Sequence, residues 1–122
     1  MKIMVIDDEQ DIEFLFKQQF RKEIRKSQIE LHFAFSAEEA LEYLQLQITE
    51  CLVLILADIN MPGMNGLELL KIIKEKFAHL QVFIITAYGD EQNYQMAREY
   101  GADDYINKPI EFDQLKEKIL RL

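Results

Sequence analysis

Polar side chains with complementary chemistry stand at the ends of four of the five β-prone apolar runs in this sequence. Asp7 and Asp8 follow the first run, and Asp58 follows the third. Thr86 closes the fourth run, and Lys108 follows the fifth. Ligands of open α/β sheets bind beyond the carboxyl ends of the strands. If the runs are parallel strands, we expect carboxylates, a hydroxyl and an ammonium group to converge at one rim.

These groups together suit a transferable phosphoryl group. Three carboxylates close together repel one another and raise each other's pKa values. A hard divalent cation removes that conflict, and Mg²⁺ takes carboxylate, backbone carbonyl, water and phosphate oxygens as ligands. Lys108 supplies a second positive charge, so a phosphoryl group would meet a metal, a lysine and a hydroxyl around one acid. Asp58 itself can be the nucleophile and form an aspartyl-phosphate.

Each of these residues also has an ordinary structural explanation. Acids in a loop between a strand and a helix often cap the helix, which would account for Asp7 or Asp8 alone. Asp58 can be read as a turn acid, Lys108 as an exposed loop lysine and Thr86 as a β-branched strand end. Capping alone does not readily produce complementary groups at four strand ends. The joint pattern therefore favours a functional site.

The elements that must position these groups alternate along the chain. Short β-prone runs predict strands at 2–6, 29–35, 51–57, 82–86 and 105–107. Stripes of apolar residues predict helices at about 12–24, 37–48, 67–77, 91–100 and 112–119. Strict alternation predicts an α/β fold, a parallel sheet with five helices on its two faces. Ser36 and Glu39 form a capping-box pattern, so we interpret Ser36 as a helix cap.

Composition restricts the class of protein. The chain has 122 residues, 49% of them apolar, and its formal net charge is −8, which disfavours direct binding of nucleic acid. The longest apolar run, 52–57, is too short to span a bilayer, and no signal-peptide pattern opens the chain, so we expect a cytoplasmic protein without membrane contact. The single cysteine, Cys51, excludes an internal disulfide and is expected to be a small buried apolar residue.

Several familiar catalytic motifs are absent from the sequence. It contains neither GxxxxGK[ST] nor GxGxxG, so a nucleotide is not the obvious ligand. The phosphatases that use a DxD nucleophile motif would have a second acid at position 60, where this chain has Asn60. No Ser/His/Asp or Cys/His set suggests itself, since His32 lies in a strand pattern and His79 in a loop.

Four segments, "IMVIDDEQD", "LADINMPGMNGLELL", "IITAYGD" and "GADDYINKP", together resemble the receiver domain of two-component response regulators over essentially the full length, residues 1–122. The resemblance implies a doubly wound, flavodoxin-like three-layer sandwich whose strand order is 2-1-3-4-5. It implies a phosphoacceptor switch of a phosphorelay, not an enzyme acting on a separate substrate.

The resemblance also implies a role for each residue of the predicted site. Asp58 would be the phosphoacceptor, while Asp7, Asp8, Asp58 and the backbone carbonyl of Asn60 would hold Mg²⁺. Thr86 and Lys108 would contact the phosphoryl group. The resemblance assigns roles to three further positions. Tyr105 would be an aromatic switch, the Lys108–Pro109 peptide bond would be cis, and Tyr88 would modulate dephosphorylation. A bulky aromatic at position 88 would screen the phosphoryl group from water, which predicts a long-lived phosphorylated form.

The implied partners are a sensor histidine kinase or phosphotransfer protein and an unknown output domain or protein. The output surface would comprise the fourth helix, the fifth strand and the fifth helix, which also resembles a face used for homodimers. The main alternative is a pseudo-receiver, a binding module that works without phosphorylation. A flavodoxin-like cofactor carrier is disfavoured, because it would need a glycine- and hydroxyl-rich first loop in place of Asp7-Asp8-Glu9. A metal-dependent phosphatase that acts on a separate substrate is disfavoured as well, because the site has no evident substrate pocket.

Overall fold

The computed structural model describes residues 1–46, 52–87 and 89–122, apart from the side chain of Val53. The five strands are β1 (Lys2–Ile6), β2 (Glu30–Ala34), β3 (Leu52–Asp58), β4 (Gln81–Ala87) and β5 (Asp104–Lys108). The helices are α1 (Asp11–Gln19), α2 (Arg21–Arg25), α3 (Ala37–Leu46), α4 (Gly66–Lys76), α5 (Glu91–Glu99) and α6 (Phe112–Leu120). The prediction for Cys51 lies outside the described residues.

The sheet has the predicted topology. Its five strands are all parallel, in the order β2-β1-β3-β4-β5, so the chain runs outward from the centre in both directions. The central strand β3 lies between β1 and β4, and its described apolar side chains, Leu52 and those of residues 54–57, are buried, as expected for a parallel strand covered on both faces. The α/β doubly wound fold is therefore confirmed.

Helices cover both faces of the sheet and bury two apolar cores. On one face, α3 and α4 pack against β1, β3 and β4 through residues such as Leu44, Leu70 and Ile73. On the other face, α1 and α6 pack through Phe16 and Leu115. Helix α5 contributes only Ala97 to the buried residues, with Met96 partly buried against the same core, so it is packed more lightly than α4 and α6.

The first helix differs from the prediction. The stripe from Ile12 to Ile24 predicts one helix, but the structure has two, α1 and the short α2, separated at Phe20. Phe20 leaves helical geometry, with φ −102° and ψ 17°. Its ring is fully buried and stacks on Phe16, with the ring centroids 5.8 Å apart. Tertiary packing of an aromatic side chain thus overrides the local helical preference at this position.

The start of α3 agrees with the capping-box prediction. The Glu39 amide donates to the Ser36 hydroxyl at 3.0 Å, and the Glu39 carboxylate accepts from the Phe35 amide at 3.3 Å. Ser36 is therefore explained by the helix that it caps. Across the described residues, none of the helices has the length and apolar character needed to cross a membrane.

Candidate functional site

The carboxyl ends of four strands bring the predicted site residues to one rim. Asp7 directly follows β1, and Asp58 is the last residue of β3. Thr86 is the penultimate residue of β4, and Lys108 is the last residue of β5. The register aligns Asp58 with Ile85 and Ala87 with Lys108, so these ends are level across the sheet.

Asp7, Asp8 and Asp58 form an acidic cluster at this rim. One carboxylate oxygen of each residue lies within 4.8 Å of the others. Asp7 and Asp58 are each 2% exposed, whereas Asp8 is open to solvent. One oxygen of each buried acid is tied down locally, because Asp7 Oδ1 accepts from the Glu9 amide at 3.0 Å and Asp58 Oδ1 accepts from the Asn60 amide at 3.1 Å. Three convergent carboxylates fit the oxygen-ligand chemistry of Mg²⁺.

Lys108 provides the positive charge that faces this cluster. Its Nζ donates to Asp58 Oδ2 at 2.8 Å, and the Asp58 side chain in this pair is 3% exposed. Burial alone would lower the pKa of Lys108, but the hydrogen bond to Asp58 and the charges of Asp58 and Asp7 raise it above its ordinary value. The ammonium group is therefore held in its charged form.

The electrostatic conflict among the acids is concentrated on Asp7. Burial, assisted by the nearby charge of Asp58, raises the pKa of Asp7 to about 6. The hydrogen bond from the Glu9 amide and the charge of Lys108 act in the opposite direction. A raised pKa means that the ionised form of this carboxyl group is destabilised, and a bound cation would stabilise it.

The Thr86 hydroxyl is buried at the same rim. Thr86 is 2% exposed, and within the described part of the chain its Oγ1 has no hydrogen-bond partner. A cavity of about 270 Å³ lies beside it, lined by residues that include Gly89, Asp90, Tyr94 and Asn107. An unpartnered buried hydroxyl is costly, so Thr86 is poised to donate to a group that enters the site.

Tyr105, the predicted aromatic switch, lies on β5 and is half-buried. Its ring contacts the ring of Tyr94 on α5, with centroids 4.3 Å apart and planes tilted by 40°. Burial raises the pKa of Tyr105, and the neighbouring Tyr94 adds to that effect. The contact joins the fifth strand to the lightly packed helix α5.

The remaining predicted positions are placed as follows. The Lys108–Pro109 peptide bond is cis. Asn60 lies two residues beyond Asp58, where its amide donates to the Asp58 carboxylate. Tyr88 lies outside the described residues.

Gly66 is a site residue that the sequence reasoning missed. A Cβ atom at this position would lie 2.3 Å from the backbone oxygen of Asp58, so only glycine allows α4 to begin this close to β3. The adjacent Asn65 caps α4 by accepting from the amides of Leu67 and Glu68, each at 3.0 Å. The Asn-Gly pair before an apolar stripe was the available signal for this helix start.

The fold and the site together define a class, that of doubly wound α/β domains with an acidic pocket at the carboxyl end of the sheet. Residues 3–120 match the family model of the response regulator receiver domain, and the chain belongs to that family. This confirms the resemblance that the four sequence segments carry.

Individual relatives agree with this assignment. The chain is 32% identical over 118 residues to sporulation initiation phosphotransferase F of Bacillus subtilis, covering 97% of this chain and 90% of that protein. Seven other curated relatives are longer, and the chain matches between 16% and 54% of their lengths.

Solved structures are similar over the whole chain. A CheY-like receiver domain protein from Methanospirillum hungatei superposes with a TM-score of 0.85 at 30% identity, covering 98% of this chain and 90% of that one. The response regulator TrrA of Thermotoga maritima, solved in complex with Mg²⁺-BeF, has a TM-score of 0.79 at 32% identity, covering 98% and 96%. Receiver domains are signalling domains that bind Mg²⁺ at an acidic pocket and interact with histidine kinases and output domains.

Proposed function

We propose that this protein is a phosphoacceptor switch in which Asp58 accepts a phosphoryl group from a histidine kinase or phosphotransfer protein. One observation carries the proposal. Asp58 is a buried carboxylate at the end of the central strand, with two further carboxylates within 4.8 Å and the Lys108 ammonium at 2.8 Å. Structural capping does not call for this combination, whereas it suits the transfer of a phosphoryl group.

The acidic cluster would hold the metal ion. Asp7, Asp8 and Asp58 would supply carboxylate oxygens and Asn60 its backbone carbonyl, and bound Mg²⁺ would neutralise charge on the phosphoryl oxygens. The hydrogen bonds from Glu9 to Asp7 and from Asn60 to Asp58 orient two of these acids in advance. Little of the binding free energy would then be spent on ordering the ligands.

The transfer would be a direct displacement at phosphorus. A carboxylate oxygen of Asp58 forms the new P–O bond while the P–N bond of the donor phosphohistidine breaks, and the released imidazole nitrogen takes up a proton. Lys108 stays charged throughout, and its ammonium would move from the free carboxylate to an oxygen of the phosphoryl group.

The output would be a change of conformation. A phosphoryl group on Asp58 offers acceptor oxygens to the unpartnered Thr86 hydroxyl. Movement of Thr86 would free space for Tyr105 and alter the surface of α5, β5 and α6, which correspond to the fourth helix, fifth strand and fifth helix of the prediction. That surface would contact an output partner or a second copy of the chain, in a cytoplasmic setting and without direct nucleic-acid contact.

Tyr88 would set the lifetime of the phosphorylated form. Its aromatic side chain, two residues beyond Thr86, would hinder the approach of water to the phosphoryl group. Tyr88→Ala should then shorten the lifetime of phosphorylated Asp58, measured as loss of the adduct over time. An unchanged lifetime would reject this role.

Phosphorylation by a small donor tests the central proposal. Incubation with Mg²⁺ and acetyl phosphate should add the mass of one phosphoryl group to the intact protein, and hydroxylamine should remove it, as expected of an acyl phosphate. Asp58→Asn should prevent the adduct, whereas Asp103→Asn, a matched change away from the pocket, should not. An adduct that survives Asp58→Asn would reject Asp58 as acceptor, and no adduct on a folded, Mg²⁺-binding protein would favour the pseudo-receiver.

A further inference from the structure

A groove of about 800 Å³ opens at the end of the sheet opposite the acidic pocket. It is lined by the starts of β1 and β2, by the end of α1 and by α2. All the strands are parallel, so their starts lie at the end of the sheet away from Asp58 and Lys108. The groove is therefore a separate feature from the candidate phosphorylation site.

The groove concentrates positive charge on an acidic protein. Four cationic residues line it, Lys2, Lys17, Arg21 and Arg25, against one acid, Glu30. The Lys2 ammonium lies 5.3 Å from the centre of the Tyr43 ring on α3, so the charge available in the groove comes from the other three. Lys17 pairs with Glu13 at 2.7 Å, and Lys2, whose side chain is 27% exposed, pairs with the exposed Glu30 at 3.6 Å; ion pairs that reach solvent in this way are weak. Arg21 and Arg25 are exposed and form no ion pair with any of the described residues. Two arginines one helical turn apart are thus free to bind an anion.

Apolar residues line the same groove. Ile24, which lies between the two arginines in the sequence of α2, is 37% exposed, and Met1 is 42% exposed. Ile29 and Leu31 also line the groove. A purely ionic ligand would leave this surface uncovered, so the groove fits a ligand that combines negative charge with apolar groups.

The open edge of β2 borders the same groove. The Glu30 amide donates to the Met1 carbonyl at 2.8 Å, and the Ala34 carbonyl accepts from the Asp7 amide at 3.1 Å, so these residues direct their backbone groups towards β1. Backbone groups alternate in direction along a strand, so Leu31 and Phe33 direct theirs away from β1. These outward groups lie at the sheet edge, where an extended peptide can pair with them.

From these three features we propose that the groove binds an extended acidic segment of a partner protein, which adds to β2 as a sixth strand and places alternate carboxylates on Arg21 and Arg25. Side chains alternate between the faces of a strand, so the segment should carry acids at every second position on the α2 side. Arginine suits this task because its planar guanidinium can bind a carboxylate through two hydrogen bonds. The edge backbone favours a peptide over an anionic lipid, because a lipid cannot pair with it.

The test uses the whole ¹⁵N-labelled chain and a capped synthetic peptide, Asp-Val-Asp-Val-Asp. We expect amide shifts at β2 and α2 on titration, and none with Lys-Val-Lys-Val-Lys. The double variant Arg21→Gln/Arg25→Gln should bind the acidic peptide about tenfold more weakly, or worse. The double variant Lys71→Gln/Lys76→Gln removes the same charge from exposed positions on α4 and should change the affinity for the acidic peptide little. Both double variants should still be phosphorylated by acetyl phosphate, which separates this site from the acidic pocket.

Three results would overturn the proposal. The first is the absence of any shift with the acidic peptide, and the second is equal weakening in the arginine and lysine double variants. The third is sedimentation of the protein with phosphatidylglycerol vesicles, lost in the arginine variant, without any peptide binding, since this would assign the groove to a membrane surface. Retained backbone spectra of the variants would show that the losses do not come from unfolding.

Discussion

The Lys108 ammonium lies 2.8 Å from Asp58 Oδ2, within a pocket that holds three carboxylates. This pair joins the last residue of the central strand to the last residue of an edge strand. The lysine therefore offsets repulsion that would otherwise fall on two buried acids, and this role can be tested by removing it.

Lys108→Met should lower the free energy of unfolding at neutral pH by about 2 kcal/mol, because it leaves buried Asp58 beside two acids without a counter-charge. Lys118→Met is the matched control, since Lys118 pairs with Asp104 at 3.1 Å where both side chains are about one-third exposed. Lys118→Met should lower the free energy of unfolding by less than about 1 kcal/mol. Urea unfolding in the presence of a chelator measures both, and equal losses would contradict a special role for the buried pair.

Asp7 should make the protein less stable as the pH rises. Its pKa is raised from 3.8 to about 6 in the folded protein, so the folded state holds this proton more tightly than the unfolded chain. The free energy of unfolding contributed by Asp7 therefore falls between about pH 4 and pH 6. Asp7→Asn removes this contribution, so without metal the variant should gain on the order of 2 kcal/mol over the parent protein across that range. Parallel pH profiles for the two proteins would contradict the raised pKa.

Magnesium should stabilise the folded protein through the acidic cluster. At a concentration about 100 times its dissociation constant, a ligand that binds only the folded state adds about 2.7 kcal/mol to the free energy of unfolding. Asp8→Asn should remove most of this gain, whereas Asp11→Asn, at an exposed acid on α1, should preserve it. Unfolding curves with and without Mg²⁺ provide the measurement. A full gain in the Asp8 variant would place the metal elsewhere.

Thr86→Val should separate stability from signalling. The buried hydroxyl has no partner among the described residues, so an isosteric apolar side chain should leave the free energy of unfolding unchanged or raise it by up to about 1 kcal/mol. The phosphoryl adduct should still form, but the amide shifts of α5 and β5 that accompany it should be lost. Thr86→Ser keeps the hydroxyl and should retain them. A clear loss of stability in the valine variant would show that the hydroxyl is bonded in the folded protein.

Gly66→Ala should be strongly destabilising, by about 2 kcal/mol or more, because the new Cβ would lie 2.3 Å from the Asp58 carbonyl oxygen and backbone would have to move. The displacement would also slow formation of the phosphoryl adduct. Gly89→Ala is the comparison, since its Cβ would meet nothing within 4 Å and only its φ of +87° would be strained. If both variants lost stability equally and were phosphorylated normally, the steric argument at Gly66 would fail.

The sequence predicts most of the fold because strand ends and helix stripes are local patterns. Asp58, Lys108 and Ser36 could be placed in this way, each by the element that precedes or follows it. Phe20 could not, since nothing in its neighbours indicates that burying its ring would divide the first helix. The Tyr94–Tyr105 contact and the approach of Gly66 to Asp58 join segments that are distant in the chain or in separate elements, so they depend on tertiary packing.

The unequal attachment of the strands and helices has a mechanical consequence. Asp58 is mounted on β3, which is held on both sides by β1 and β4, while β5 is at the edge and α5 buries only Ala97. The domain is therefore stiff at its centre and compliant along one flank. A phosphoryl group on Asp58, which β1 and β4 hold in place on both sides, should therefore displace β5 and α5 more readily than β3 itself.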